Sequence, residues 1–197
     1  MMESARDVTE QRATNVRSVI LVEGKSDEFA VEALASRFGR ALNAEGVAVI
    51  AMNGAKNIGR FHDRFGPRGL GLTLAGLYDE AEEPDFRRGL ERAGFGSGLS
   101  RADIERLGFH ACVEDLEDEL IRALGPEEVI AEVESRGELG PLRTLQKQRD
   151  WRHRPIEQQL RRFLGNSSRK IDYAPRLVEA LDLSNVPRPL AELLARV

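Results

Sequence analysis

The sequence has almost no cysteine, few aromatic residues and no long apolar run. One cysteine, Cys112, among 197 residues excludes a disulfide framework and argues against a cysteine-rich zinc site. It suits a reducing cytoplasm. No apolar stretch approaches the ~20 residues that a membrane-spanning helix needs, so no membrane partner is expected. Met1 to Asn15 are polar and charged, without the hydrophobic centre of an export signal, and residues 1–16 read as a flexible tail. The phosphate-loop pattern G-x-x-x-x-G-K-[ST] is absent. Gly24-Lys25-Ser26 looks like its end, but the earlier glycine is missing and Glu23 would repel a phosphate, so no nucleotide cofactor site is expected. The three histidines, His62, His110 and His153, lack metal-ligand spacing and read as structural or surface residues.

Charge is present and unevenly spread. The net charge is only -4. Yet residues 79–138 hold 18 acidic residues against 7 basic ones, and residues 143–176 hold 10 basic against 3 acidic. An acidic middle beside a basic segment is what a metal site next to a phosphate-backbone track would have. Charged helical faces also exist merely to stay solvated, so the imbalance alone decides nothing.

Apolar patterning gives the architecture. Val19 to Val22 is an unbroken apolar run closed by Glu23-Gly24, the pattern of a strand buried on both faces of a parallel sheet. Further strands are predicted over 47–51, 70–77 (ending at Tyr78-Asp79) and 109–113. Helices separate them: one after Gly24 capped by Ser26 and Asp27, one over 56–65 after an Asn53-Gly54 turn, and one over 84–93. From Leu116 onward the pattern is helical, with helices predicted over 116–124, 126–135, 156–164, 173–181 and 190–195. The fold class is therefore α/β: about four mainly parallel strands with flanking helices over residues 17–115, and a C-terminal helical extension, 116–197, packed on that core.

Three acidic clusters lie at or just past the carboxyl ends of three predicted strands. They are Glu23 with Asp27, Asp79 with Glu80 and Glu82, and Glu114 with Asp115, Glu117 and Asp118. Parallel strands put all three on one sheet edge, where open α/β sheets bind ligands. Carboxylates gathered there repel one another unless a cation neutralises them. An all-oxygen ligand set suits Mg²⁺, Mn²⁺ or Ca²⁺, and a site for one or two such ions suits phosphodiester chemistry. The competing reading is a set of helix N-terminal acids favoured by the helix dipole.

The stretch Val22-Glu23-Gly24-Lys25-Ser26-Asp27, followed by a strand ending at Asp79, resembles a Toprim domain. Topoisomerases, bacterial primases, a ribosomal-RNA maturation nuclease and the overcoming-lysogenisation-defect (OLD) nucleases share that Rossmann-like fold. Asp115-Leu116-Glu117-Asp118 and the Arg169-Lys170 pair opening a late helix resemble the OLD type, over roughly residues 16–183. The resemblance implies a metal-dependent DNA endonuclease or nickase using Mg²⁺ or Mn²⁺. It implies Glu23 as ligand or general base, Asp27, Asp79, Asp115 and Glu117 as metal ligands, and Lys170 as the group that stabilises transition-state charge. One departure is clear. The family's Asp-x-Asp is here Asp79-Glu80-Ala81-Glu82, leaving Glu82 or Glu80 to replace the second acid. The ATPase half of OLD proteins is missing, so a separate ATPase subunit would act in trans. DNA is the implied partner, and a homodimer is compatible. A degenerate Toprim module that binds without turnover, and a Toprim ribonuclease acting on structured RNA, are the alternatives.

Three further features stand apart. Lys147, Arg149, Trp151, Arg152, His153 and Arg154 mix cations with one ring that a base can stack on; a surface loop with Trp151 tucked on the core is equally compatible. Cys112, in a predicted buried strand, reads as a small hydrophobe. Tyr173 matches a topoisomerase nucleophile in residue type alone, with nothing around it to support the role.

Overall fold

Successive side chains of a strand point to opposite faces of its sheet, and here both sets are apolar. In the computed structural model, which describes residues 16–197, Ile20 and Val22 of β1 (Ser18–Val22) face one helical layer, while Val19 and Leu21 face another. All four are at most 1% exposed, which is why the strand is written as an unbroken apolar run. Burying each contributes about 1.5–3 kcal/mol. β2 (Val47–Ala51), β3 (Thr73–Asp79) and β4 (Phe109–Cys112) complete a sheet of order β2-β1-β3-β4. Every pairing is parallel, so the expected α/β core is present. β3 crosses β1 so closely at Gly76 that a Cβ there would strike the Leu21 carbonyl and the Phe109 ring.

The helices divide between the two faces. α1 (Lys25–Arg37) lies on the Ile20 side. α2 (Ile58–Phe65), entered through a 3₁₀ turn at Ala55–Asn57, covers the Leu21 side with α3 (Glu83–Arg92) and α4 (Arg101–Arg106). The remaining helices are α5 (Leu116–Leu124), α6 (Pro126–Ser135), α7 (Leu139–Lys147), α8 (Ile156–Leu164), α9 (Ser167–Ala180) and α10 (Arg188–Arg196). All six contribute to one hydrophobic cluster with α1 and the Ile20 face. α9 packs along α1, and α10 packs against β3 and β4. Two arginines fasten this wrapping. Arg37, at the end of α1, donates to the Val178 (2.9 Å) and Leu181 carbonyls at the end of α9. Arg40 donates to the Leu194 (2.6 Å) and Val197 (2.9 Å) carbonyls at the end of α10.

Several boundaries differ from expectation. β3 starts at Thr73, not Leu70, because residues 66–72 fold back on the end of α2: the Leu70 and Leu72 amides donate to the Arg64 and Phe65 carbonyls. The Ser26 hydroxyl does not cap α1; instead Asp27 reaches back and accepts the Gly24 N–H at 2.8 Å. α9 begins at Ser167, six residues before the expected Tyr173 start. Its first turn is capped by Asn166, which accepts the Ser168 N–H at 3.1 Å. The Asn53-Gly54 turn is as expected, with φ of 57° and 111°. Cys112 is buried and unpaired, and the ring of Tyr173 is 1% exposed, closed off as a nucleophile. The expected N-terminal tail lies outside the described residues, apart from Val16. No helix among the described residues is long and apolar enough to cross a membrane.

Candidate metal centre

The sheet order places a switch point between β1 and β3. From β1 the chain moves outward to β2, and from β3 it moves the other way to β4, so the two loops leave opposite sides of one crevice. Leu21 pairs with Gly76, and continuing that register sets Glu23 beside the end of β3. Asp79 pairs with Cys112, which brings the loop before α5 to the same edge. The local sequence thus delivers Glu23, Asp79 and Asp115 to neighbouring strand ends.

The electrostatics report the convergence. Burial, then the Glu82 and Asp27 carboxylates, push Glu23 up from 4.5 to about 7. Burial, then Glu23, Asp27 and Asp115, push Asp79 up to about 8. Asp27 is raised as well, by burial and by Asp115, against the Gly24 N–H, Lys170 and Ser26. Lys170 pulls all three down, but by less than burial and the neighbouring carboxylates push them up. Oε2 of Glu23 is buried and lacks a hydrogen-bond partner.

Of the two acids after Asp79, Glu82 is the one that turns toward Glu23. Its carboxylate faces Glu23, which when protonated donates to it, and its Oε2 accepts the Ala55 N–H at 3.3 Å. Glu80 instead turns to Arg101 at 2.7 Å, out of the crevice. Glu82 thus faces the crevice from three residues after Asp79, at the end of a single 3₁₀ turn.

Asp115 and Glu117 arrive with their own cations. Asp115 caps α5 by accepting the Asp118 N–H at 2.9 Å, and takes Arg161 Nε at 2.8 Å. Glu117, 2% exposed, pairs with Lys170 Nζ at 2.7 Å. Lys170 also lies 3.9 Å from Asp115. Burial alone would lower the Lys170 pKa; Glu117, Asp115 and Asp79 outweigh it and raise it. Burial raises Glu117, and its Oε1 has no partner. Of the neighbouring acids, Glu114 faces Arg161 at 2.7 Å, and Asp118 and Glu119 face Arg122 at 2.8 and 2.9 Å. Those three serve the local helix start. Glu114 holds a left-handed backbone, φ 64°, a strain that gathers at functional sites.

Do these residues fit a hard divalent cation? The donors are all oxygen, two buried carboxylate oxygens have no partner, and two acids are held at about 7 and 8 by burial and by one another, against the smaller pull of Lys170. That fits. Among the described residues, no three His, Cys, Asp or Glu side chains already form a ligand set. A seat of one or two carboxylates completed by water and phosphate oxygens needs no such set. Arg161 is the functional neighbour that sequence reasoning missed; its partner Asp115 lies 46 residues away, beyond any local pattern.

Open grooves flank the cluster. One of about 730 Å³ lies between α7 and α8 and is lined by Thr144, Arg162, Phe163 and Arg169, but by none of the acids. A smaller one, about 450 Å³, reaches Asp115 and Lys170 directly.

Residues 16–80 match the family model for the Overcoming lysogenization defect protein-like, TOPRIM domain. Comparison with curated proteins gives no match. Among solved structures, the C-terminal region of the Xanthomonas campestris pv. campestris OLD protein is similar, with TM-score 0.70 at 24% identity over 92% of both chains. The C-terminal region of the Burkholderia pseudomallei OLD protein gives TM-score 0.67 at 20% identity, over 92% of this chain and 96% of that one.

Proposed function

We propose, starting from a chain whose residues 16–80 form an OLD-like Toprim domain and whose fold is that of OLD C-terminal regions, that the protein is a divalent-metal-dependent nuclease that nicks DNA. The observation that carries this reading is the convergence of Glu23, Asp27, Asp79 and Asp115, from three separate strand ends, into one mutually repelling group. Glu23, Asp27, Asp79 and Glu82 would hold Mg²⁺ or Mn²⁺, and Asp115 with Glu117 would offer a second seat. The ion, when bound, would neutralise the acids, activate water and polarise a phosphoryl oxygen.

The chain's own residues do the rest. Glu23 has a buried, unpartnered Oε2 and is suited to take a proton as water attacks. Lys170 holds its ammonium between Glu117 and Asp115 at 2.7 and 3.9 Å. A cation fixed in place before the reaction stabilises the extra negative charge of the transition state without having to reorganise. Arg161 keeps Asp115 aligned. A separate ATPase subunit, the partner that the resemblance to OLD proteins implies, would act with this chain. A buried free cysteine suits work in a reducing cytoplasm.

The test is nicking of supercoiled plasmid with Mn²⁺ or Mg²⁺. Cleavage by wild type that is lost in Glu23→Ala is the expected result. One observation favours a second reading, a module that binds without turnover: Asp115 and Glu117 are already neutralised by Arg161 and Lys170. That reading gains if Mn²⁺ calorimetry shows only weak, unsaturable binding and no plasmid is cut.

A further inference from the structure

The basic, aromatic segment before α8 is not used by the chemistry above. Its loop is built rigidly. The Trp151 and Arg152 amides donate back to the Gln148 carbonyl at 3.0 and 2.9 Å. The buried Gln159 amide, on α8, donates to the Trp151 and Arg154 carbonyls at 3.1 and 2.8 Å. Two backbone carbonyls are thereby stapled to a helix that also carries Arg161 and Arg162. Trp151 is held at a fixed height and stays partly exposed, with the Arg162 guanidinium 5.9 Å from its ring centroid.

The groove of about 450 Å³ at this loop is lined by Asp115, Trp151, Arg154, Arg161, Arg162 and Lys170, among others. It therefore runs from the acid cluster to the tryptophan. Arg161 and Lys170 are spent on Glu114, Asp115 and Glu117. Arg154 and Arg162 have no carboxylate partner among the described residues. A groove with two uncommitted guanidinium groups, an indole face and a metal-seeking end matches a nucleic-acid strand: phosphates on the arginines and a base on the ring.

We infer that this groove is the subsite for an unpaired nucleotide of the substrate strand next to the cleavage point, with Trp151 stacking its base and Arg154 and Arg162 holding its phosphates. The inference rests on the nuclease reading for the nature of the strand. It adds that the strand is locally single at this place, because a paired base shows its face only to its neighbours in the stack.

The chain contains one tryptophan, so its fluorescence reports this subsite alone. The probe is a short single-stranded oligodeoxynucleotide, titrated in EDTA so that nothing is cut. Saturable quenching is expected, with none from an abasic strand of equal charge or from inorganic polyphosphate. Trp151→Ala should weaken binding, followed by anisotropy of a labelled strand, about 5- to 100-fold, the range for one base–aromatic stack. Trp151→Phe should recover most of it, and circular dichroism checks that both variants fold. Arg154→Ala with Arg162→Ala should flatten the dependence of affinity on salt. Equal quenching by the abasic strand, equal quenching by a blunt duplex, or unchanged affinity in Trp151→Ala overturns the subsite. The two readings fail separately: a strand that quenches but a plasmid that is never nicked defeats only the nuclease reading. Nicking with no base-dependent quenching defeats only the subsite.

Discussion

The acids that follow β1 and β3 and those that open α5 share one crevice but live under opposite conditions. Glu23 and Asp79 have no ion-pair partner among the described residues, and burial beside other carboxylates drives them to about 7 and 8. Asp115 and Glu117 are buried at least as deeply, yet each has a cation within 2.8 Å. The first pair has no cation in contact among the described residues. The second has been given one by the chain. This contrast ranks the two seats: an ion entering at Glu23 and Asp79 relieves repulsion, whereas an ion at Asp115 and Glu117 must compete with Arg161 and Lys170.

The largest expected effect is at the first pair. Asp79→Ala should lower nicking by at least about 100-fold, the scale of losing one preorganised electrostatic group, and should abolish the high-affinity step in Mn²⁺ calorimetry. Retained Mn²⁺ affinity would mean that the first pair is not the principal seat.

Next comes the supplied pair. Lys170→Met leaves Glu117 buried without its cation. A fully buried broken pair costs ~3–5 kcal/mol; with the lysine side chain 30% exposed, about 2–3 kcal/mol is expected, a drop of about 5–10 °C in Tm. Lys170→Met with Glu117→Gln should recover the melting temperature and still fail to nick. Recovery of both would reduce Lys170 to a structural role.

A pH series separates the pairs without mutation. In EDTA the folded protein holds protons on Glu23 and Asp79 that the unfolded chain, titrating near 4, has already released. Their contribution to stability therefore falls as pH rises from about 4 to about 8 and is constant outside that window. Thermal melts should show the decline, and Mn²⁺ or Glu23→Gln with Asp79→Asn should flatten it. A melting temperature that rises across the window would contradict the raised carboxyls of Glu23 and Asp79.

The smallest effect sharpens the contrast. Arg161→Gln should cost only about 0.5–1 kcal/mol, the upper range for a solvent-reached ion pair. It should also strengthen a second, weaker Mn²⁺ event. A single unchanged event would show that Arg161 is not what holds the second seat back.

The strands were legible because burial on two faces leaves a run with no polar interruption, as at Val19–Val22. The helices read wrongly or missed share another cause. α7 opens on Leu139-Gly140-Pro141, which reads as a break, yet a proline is tolerated in a first turn, where its missing N–H bonds nothing. α4 is only six residues long, too short for a periodic signal; its trace was Ser100-Arg101-Ala102-Asp103, a capping box. At the site, the gathering of acids followed from strand direction. Which of Glu80 and Glu82 turns toward Glu23 did not, because it depends on how one 3₁₀ turn aims Glu82 inward and Glu80 toward Arg101. The pairing of Asp115 with Arg161 was invisible for the same reason: it is decided by the packing of α8 on α5.

The clasp of α9 along α1 has an effect on timing. Arg161 and Lys170 follow Glu23, Asp27 and Asp79 by more than 80 residues, so they leave the ribosome after them. Until α8 and α9 pack, the acids stand without their fixed cations. Winding these helices onto the earlier ones then acts as an interlock that completes the charge balance of the crevice last.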